Sequence, residues 1–247
     1  FSHPHDDAIN IHASFLRFKN KVDDCTAVFE FVHRQQGGYR AFNNGDKVVF
    51  YYRTSLQSLG GEYTVDSAVD DIVNKTVTVK FTEKLPSEIE NRYKNQSNVV
   101  AENITYSPSV EISNCRFNAI PTRGILVTAR GKIRIHDNEF TNVAMANVFI
   151  SNDANDWYES GPVRDVEIYN NKFIVTENNL PKFIDCSAIL VQPITFGGKV
   201  TAPVHKNIYI HSNYFDVRRD RVITAHGVEN LRTEDNAVSY THLRAHE

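Results

Sequence analysis

Two adjacent carboxylates, Asp6 and Asp7, stand immediately before an alternating apolar stretch near the start of the chain. Neighbouring side chains on a regular strand face opposite sides, so both carboxylates reach one site only if Asp6 lies in the turn that leads into the strand. Pro4 favours such a turn. Two carboxylates held close together can act on one water molecule as a general base. For a doublet considered by itself, a solvated turn without a chemical role is the alternative.

Three histidines, His3, His5 and His12, flank the doublet. Imidazole is a common zinc ligand, but a structural zinc site needs four converging ligands, and the chain has no Cys or His cluster at a metal-binding spacing. The sequence therefore predicts no metal site, and a zinc site built on these histidines is the less favoured alternative.

The composition favours strands and turns over helices. The 247 residues include 45 Val and Ile against 9 Leu, together with 24 Asn, and these are preferences of β-strands and of turns. A formal net charge of -3 and a pI of about 6.4 give no basic field that would attract nucleic acid or an anionic membrane surface. No apolar stretch approaches the roughly 20 residues that cross a bilayer. We therefore expect a neutral partner, no nucleic acid and no membrane span.

A short phrase recurs through the second half of the chain: apolar, any, apolar, any, any, Asn, any, Phe. It occupies residues 110–117, 133–140, 166–173, 208–215 and, in weakened form, 231–238. The last position advances by 23, 33, 42 and 23 residues. A constant minimal period interrupted by insertions is typical of a solenoid.

The alternation that opens each phrase has period two, which indicates a strand. A second apolar strand follows eight residues after the aromatic, at Ile125, Val148 and Ile223. Two or three short strands in about 23 residues indicate one coil of a parallel β-helix. Ordinary strands of an antiparallel sandwich are the less favoured alternative.

Stacked coils place the recurring side chains in columns. We expect the phenylalanines to stack inside the coils and the asparagines to form a hydrogen-bonded ladder at a corner, where Asn also tolerates the left-handed conformation of a sharp turn. The expected columns are Phe117, Phe140, Phe173 and Phe215, and Asn138, Asn171, Asn213 and Asn236. Cys115 takes the first Asn position, where we expect a small apolar group to face inward.

The repeat divides the chain into four segments. Residues 1–17 read as one β-helix coil carrying the Asp-Asp motif, and residues 104–237 as the remaining coils. Residues 18–103 lack the repeat and contain short strands separated by turns such as Asn44-Gly45, which predicts an inserted small β-barrel or meander. Residues 238–247 abandon the pattern and resemble a non-native tail, with a polar capping helix as the alternative.

Three stretches together resemble the bacterial α-1,3-galactosidases of glycoside hydrolase family 110. They are His5-Asp-Asp-Ala-Ile-Asn-Ile-His12, Pro121-Thr-Arg-Gly-Ile-Leu-Val-Thr128 and the stretch from Ser151 to Arg164 that reads SNDANDWYESGPVR. The resemblance extends over most of the chain. It implies an all-β fold, a right-handed parallel β-helix with barrel insertions. It also implies inverting exo-hydrolysis of terminal α-1,3-linked galactose, as on blood group B antigens. That reaction needs no metal and no organic cofactor.

The resemblance also implies roles for individual residues. It assigns the general base to Asp6 and Asp7, and the general acid to an aspartate about one coil earlier, a position before Phe1. Because inversion needs both groups, we expect the 247 residues alone to be inactive on an α-1,3-galactoside. Trp157 is expected to pack against galactose, and polar side chains to bind its hydroxyls; the expected ligands are Asn10, His12, Arg123, Asn152, Asp153 and Glu159.

Each of these side chains also has a structural alternative. Trp157 can equally close the wall of a groove, and Arg123 can fix a corner by bonding carbonyls. Two other functions stay open: a β-helical polysaccharide lyase, which would hold Ca²⁺ between carboxylates and need a basic groove, and a non-catalytic carbohydrate-binding solenoid. The chain opens on Phe1 without a signal-like segment. Any targeting segment is therefore expected upstream. The resemblance to the galactosidases leads us to expect a secreted or periplasmic protein.

Overall fold

The computed structural model describes residues 1–176, 187–217 and 221–239. In this part of the chain the structure is almost entirely β, and the one helical element is a short 3-10 helix at Ser87–Glu90. No helix in the described ranges is long and apolar enough to cross a membrane. The strands in chain order are β1 Ile9–Lys21, β2 Thr26–Glu30, β3 Lys47–Tyr52, β4 Tyr63–Asp71, β5 Thr76–Phe81, β6 Arg92–Tyr93, β7 Gln96–Ser97, β8 Val99–Asn103, β9 Val110–Ser113, β10 Arg116–Ile120, β11 Ile125–Thr128, β12 Lys132–His136, β13 Glu139–Val143, β14 Val148–Ile150, β15 Glu159–Ser160, β16 Asp165–Tyr169, β17 Lys172–Ile174, β18 Ile189–Val191, β19 His205–His211, β20 Tyr214–Asp216, β21 Ile223–Ala225, β22 Val228–Glu234 and β23 Ala237–Val238.

Three runs of parallel strands organise the second half of the chain. Their orders are β9-β12-β16-β19-β22, β10-β13-β17-β20-β23 and β1-β11-β14-β18-β21. The chain visits the three runs in turn, so that each set of three strands pairs with the set before it. One hydrophobic cluster takes side chains from all three runs, including Phe117, Ile125 and Ile133. Branched aliphatic residues suit these positions because they pack well on a pleated surface.

Both expected columns are present. Successive phenylalanine rings stack with centroids 4.5, 5.0 and 4.8 Å apart. The column has one further ring that the repeat does not predict: Phe1 lies 5.2 Å from Phe117 at an interplanar angle of 6°. Among the asparagines, Asn138 donates through Nδ2 to Asn171 Oδ1 at 3.0 Å, and Asn171 donates to Asn213 in the same way.

The backbone at this corner differs from the expectation. The left-handed residue is the one before each ladder position, and these residues are Asn114, Asp137, Asn170, Ser212 and Asp235, with φ between 51° and 55°. The ladder asparagine itself points inward, where its amide bonds the next amide and a backbone carbonyl, as Asn138 does with Ile112. The prediction that the ladder residue supplies the left-handed turn was therefore wrong by one position. One residue adopts the left-handed conformation, and the asparagine that follows it makes the ladder hydrogen bonds.

The predicted barrel is formed by six strands. Antiparallel pairing runs β1-β2-β5-β4-β3-β8 and returns from β8 to β1, so the ring is closed. Its interior is a separate cluster that includes Phe29, Phe50 and Phe81. Closure leaves the six strands without a free pairing edge along the ring.

The first strand belongs to both parts of the molecule. Residues Ile9 to His12 pair in parallel with β11, and residues Phe15 to Lys21 pair with β8 and β2 in the barrel. The expected division at residues 17 and 18 thus falls inside one continuous strand. At the other end, Val238 pairs with Phe215 in the parallel run, and residues 240–247 of the expected tail lie outside the described residues.

Candidate functional site

The Asp-Asp doublet lies where the chain turns into β1, as the sequence predicts. Asp6 is exposed, and its Oδ1 accepts a hydrogen bond from the Asp7 backbone N–H at 2.9 Å. The Asp7 side chain is only 7% exposed. The two neighbouring carboxylates therefore differ sharply in environment, one in water and one largely covered.

Arg123 covers Asp7. Its backbone N–H donates to Asp7 Oδ1 at 3.0 Å, and its Nη1 donates to Oδ2 at 3.2 Å. Parallel pairing sets this contact, because Ala8 and Ile9 donate to the carbonyls of Arg123 and Gly124. A Cβ on Gly124 would come within 2.5 Å of the Asn147 carbonyl oxygen, so only glycine lets the chain pass here.

Asn10, His12 and Glu159 meet on one side of β1. Asn10 and His12 are two residues apart and therefore face the same side of the strand. Asn10 Nδ2 donates to Glu159 Oε1 at 3.2 Å, and His12 Nε2 lies 3.5 Å from the same oxygen. The short strand β15 brings Glu159 here by antiparallel pairing with Ala13 and Ser14. Three residues predicted to bind sugar thus form one polar cluster along the strand that Asp7 precedes.

Asn152 and Asp153 are buried residues near the start of the loop formed by residues 151–158. The Asp153 carboxylate accepts hydrogen bonds from the N–H groups of Asn155 and Asp156 at 2.6 and 2.9 Å. Burial raises the pKa of Asp153 above its usual value, although these hydrogen bonds act in the opposite direction. The Asn152 side chain is fully buried, and neither of its amide atoms has a hydrogen-bond partner among the described residues. Both residues therefore shape the loop from inside.

Trp157 lies against the barrel. Its ring is 4.5 Å from that of His33, and it is 45% exposed. Gln36 Nε2 donates to the carbonyls of Trp157 and Tyr158 at 3.2 and 3.0 Å. The loop that carries Trp157 is consequently held by the segment 31–46 between β2 and β3.

Sequence reasoning missed the barrel residues that hold this loop. Arg53 is 1% exposed, and its Nε donates to the Ala154 carbonyl at 2.9 Å while its guanidinium lies over the Phe196 ring at 3.9 Å. Burial lowers its pKa, with the nearby Tyr158 acting against this. No local pattern marks Arg53, because all these partners are distant in sequence.

A second buried polar contact fixes the barrel to the parallel strands. Arg130, which follows β11, donates through Nη2 to Glu102 Oε2 at 2.6 Å and also bonds the Tyr51 hydroxyl. Glu102 is 1% exposed. Burial raises the pKa of Tyr51 far above its usual value, and the charge of Glu102 adds to this. A buried ion pair holds its partners in one arrangement because either charge alone is costly.

The flanking histidines do not converge. The His3 ring is bonded to Ser2, His5 is exposed, and His12 contacts Glu159 and the Ala13 carbonyl. In the described ranges, no three His, Cys, Asp or Glu side chains are grouped so that they could hold a metal ion.

Comparison with known proteins adds an independent line of evidence. The profile of the GLAA-B β-barrel domain II family matches residues 26–92, within the six-stranded barrel. The α-1,3-galactosidase A of Streptomyces avermitilis is 35% identical over an alignment that covers 96% of this chain and 37% of that protein. The α-1,3-galactosidase A of Bacteroides thetaiotaomicron is 34% identical over 95% of this chain and 39% of its own length. The α-1,3-galactosidase B of Phocaeicola vulgatus is 27% identical over 94% of this chain and 40% of its own length. The chain thus spans less than half the length of these relatives.

Proposed function

We propose that this chain, a homologue of the α-1,3-galactosidases over nearly its whole length, supplies the catalytic base and part of the sugar-binding groove of a glycoside hydrolase. The proposed reaction removes terminal α-1,3-linked galactose from glycans, including structures like the blood group B antigen, with inversion at the anomeric carbon. Because such glycans lie outside the cytoplasm, we place the protein in the secreted or periplasmic compartment.

The pairing of Asp7 with Arg123 carries this proposal. The guanidinium and the backbone N–H fix the Asp7 carboxylate at the start of β1, and Asp7 in turn orients Asp6 through its own N–H. Asp6 is open to solvent, so we assign it the role of general base, which takes a proton from the attacking water. Asp7 holds Asp6 in place through its backbone N–H.

Inversion requires a general acid as well, at a carboxyl separation of about 6.5–9.5 Å that leaves room for water. The family resemblance assigns this acid to an aspartate about one coil before Asp6. Coils of a right-handed parallel β-helix, the solenoid we propose, bring residues of successive turns side by side. The observed visiting order of the three parallel runs supports that architecture.

Asn10, His12 and Glu159 are the proposed hydroxyl ligands. Their polar atoms form one cluster on the face of β1 beyond the doublet. Galactose differs from its epimers only in hydroxyl orientation, so fixed donors and acceptors can select it. The Asn10–Glu159 hydrogen bond and the His12–Glu159 contact fix the orientation of the three side chains before the sugar arrives.

Hydrolysis of α-galactosyl fluoride tests the base separately from the acid, because fluoride departs without being protonated. We expect the 247-residue chain to convert it to β-galactose, as followed by NMR, and to leave an α-1,3-linked galactobiose intact. Asp6→Asn should lower kcat/KM by about 100-fold or more, in line with general base catalysis. Asp165→Asn, an exposed carboxylate on β16, serves as the control. Release of α-galactose, or binding without hydrolysis of the fluoride, would overturn the proposal, and the second outcome would favour a carbohydrate-binding solenoid.

A further inference from the structure

The barrel contains a cavity that the proposed reaction does not use. Segment 31–46 and the tip of the β4-β5 hairpin enclose about 330 Å³. Binding sites for small molecules typically measure about 300–1,000 Å³. The volume therefore suits a ligand at the small end of this range, such as one or two sugar rings.

One wall of the cavity is aromatic. Phe31 and Tyr39 pack edge to face, with centroids 5.3 Å apart and an interplanar angle of 73°. Phe31 is buried, whereas Tyr39 is 47% exposed. About half of the tyrosine ring is consequently available to a ligand, and an aromatic ring with a polar tip suits a partner that presents both C–H groups and hydroxyls.

The backbone beside this wall is bare. Gly37 and Gly38 line the cavity with φ of +116° and +78°. No atom lies within 4 Å of the position that a Cβ would take at either residue. Glycine is the residue that adopts such angles without strain, and here it leaves peptide groups open to a ligand.

The polar groups of the lining carry both signs of charge. Arg40 and Lys75 are balanced by Asp70 and Asp71. Asp71 is already bonded to the Asn74 amide at 2.7 Å, and Lys75 to the Arg34 carbonyl at 3.1 Å. The balance of two cations and two anions favours a neutral polar ligand over an ion.

The cavity adjoins the candidate site on β1. The Tyr39 side chain lies beside the Ser14 side chain of β1, and Gln36, also in the lining, holds Trp157 and Tyr158 through their carbonyls. Ser14 follows Asp7 by seven residues, which is at most about 23 Å along a strand. This upper bound limits the gap between Asp7 and the edge of the cavity to a few sugar units.

We propose that this barrel cavity is a second carbohydrate site, which holds a neutral hexose unit of the glycan whose terminal galactose is bound beside Asp7. The choice of a hexose as ligand rests on the proposed function, whereas the site itself rests on the cavity. Two linked sites raise the affinity for a glycan long enough to span both of them.

Amide NMR of the full chain can observe the two sites in one titration. The probes are free galactose, glucose and N-acetylgalactosamine, with Gly37 and Gly38 reporting on the cavity and the Arg123 N–H, which bonds Asp7, reporting on the first site. We expect at least one of the three sugars to shift both glycine amides in a saturable way. Tyr39→Ala should weaken this binding by about fivefold, as for loss of an aromatic contact. Tyr39→Phe should retain it because the ring remains.

A matched variant distinguishes loss of the Tyr39 ring contact with the sugar from loss of any exposed tyrosine. Tyr106 is 65% exposed and is not part of the cavity lining, and Tyr106→Ala should leave the titration unchanged. The proposal is overturned if none of the three sugars shifts the glycine amides, or if the shifts survive Tyr39→Ala with the same affinity. Shifts at Arg123 without shifts at the glycines would reject the second site and leave the proposed function standing. The reverse pattern would retain the second site and count against the first.

Discussion

The carboxylate of Asp7 and the guanidinium of Arg123 form an ion pair at 3.2 Å between residues that are 116 positions apart in the chain. The whole barrel lies between them in sequence. Parallel pairing of β1 with β11 removes that separation and places Asp7 beside Arg123, two residues before β11. The insertion of the barrel therefore leaves the register of the parallel strands intact at this point.

Replacing Arg123 tests whether this pair serves chemistry or only stability. Arg123→Gln keeps the backbone N–H but leaves a nearly buried carboxylate without its cation. We expect a loss of about 1–3 kcal/mol in the free energy of unfolding and at least about a tenfold fall in hydrolysis of α-galactosyl fluoride. Arg123→Lys should give an intermediate result, because it restores charge without the planar fork.

The matched control is Arg134→Gln, which breaks the ion pair with Asp165 on a different parallel run. It should reduce stability without a selective effect on turnover. Equal losses of activity in the two variants, measured below their unfolding transitions, would show that Arg123 acts through stability alone.

Removing Arg53 should release the loop that carries Trp157. Arg53→Met loses the hydrogen bonds to the carbonyls of Ala154 and Ser97, and unsatisfied buried groups cost about 1–3 kcal/mol each. Trp157 is the only tryptophan, so its emission reports on this loop. We expect a red shift and lower anisotropy in native conditions. The exposed Arg92 offers a control, Arg92→Met, and an unchanged spectrum in the Arg53 variant would contradict the role assigned to that residue.

The periodic features could be predicted from sequence because stacking repeats the same environment at each turn. Asn171 and Phe173 occupy the same two places in their set of parallel strands as Asn138 and Phe140 do in theirs, so one pattern describes both. Phe1 lies in the same column, but it comes before the barrel in the sequence, and the repeat pattern does not precede it.

Contacts between the barrel and the parallel strands could not be predicted in this way. Trp157 was singled out as a groove residue, yet its partner is His33, and nothing repeats in either stretch. The same holds for Arg130 and Glu102, which meet across the two parts of the molecule. Such contacts depend on how a closed barrel rests on the strands, and this is set by shape and burial rather than by a local pattern.

His205 should make the protein sensitive to acid. Burial, and then the charge of Arg164, lower the pKa of His205 to about 3. Between pH 6.5 and 3, His205 is therefore protonated in the unfolded chain but not in the folded chain. The free energy of unfolding falls as the pH falls through this window. From this residue alone the slope is about 1.4 kcal/mol per pH unit.

His205→Asn removes the titrating ring while its Oδ1 can replace Nδ1, which accepts the Val163 N–H at 3.2 Å. Urea unfolding at pH 7 and pH 5 should show a smaller pH effect in this variant than in the parent. The exposed His226, changed in the same way, should keep the parental difference. An undiminished acid effect in His205→Asn would refute the assignment.

His136 should act in the opposite direction. The hydrogen bond that His136 Nδ1 donates to Asp137 Oδ2, supported by Glu111, raises the pKa of His136 above its usual value. Its contribution to stability is complete below pH 6.5 and is lost as the pH rises through the raised value. Asp137→Asn, which removes the largest cause, should flatten the decline in stability measured by urea unfolding from pH 6 to pH 9. If the decline is as steep in Asp137→Asn as in the parent, this ion pair is not its source.

The first rung of the asparagine ladder offers a stabilising substitution. Asn138 Oδ1 accepts the backbone N–H of Cys115 at 2.9 Å, whereas at the next rung Asn171 Oδ1 accepts both the N–H and the Nδ2 of Asn138. Cys115 Sγ bonds the carbonyl of Ser113 at 3.3 Å, two residues earlier, as Asn171 Nδ2 does with Tyr169. The thiol thus occupies the place of an amide, but it does not donate a hydrogen bond to Asn138 Oδ1 as an amide would.

Cys115→Asn should extend the ladder by one amide. Its Nδ2 would donate both to Asn138 Oδ1 and to the Ser113 carbonyl, and we expect a gain of about 0.5–1.5 kcal/mol in the free energy of unfolding. Cys115→Ala is the matched control: it removes the sulfur contact and adds no amide, so it should be neutral or destabilising. The left-handed turn at Asn114 already has the geometry of the other corners, so the new side chain needs no backbone change. If Cys115→Asn is no more stable than Cys115→Ala, an added amide at the end of the ladder does not increase the free energy of unfolding.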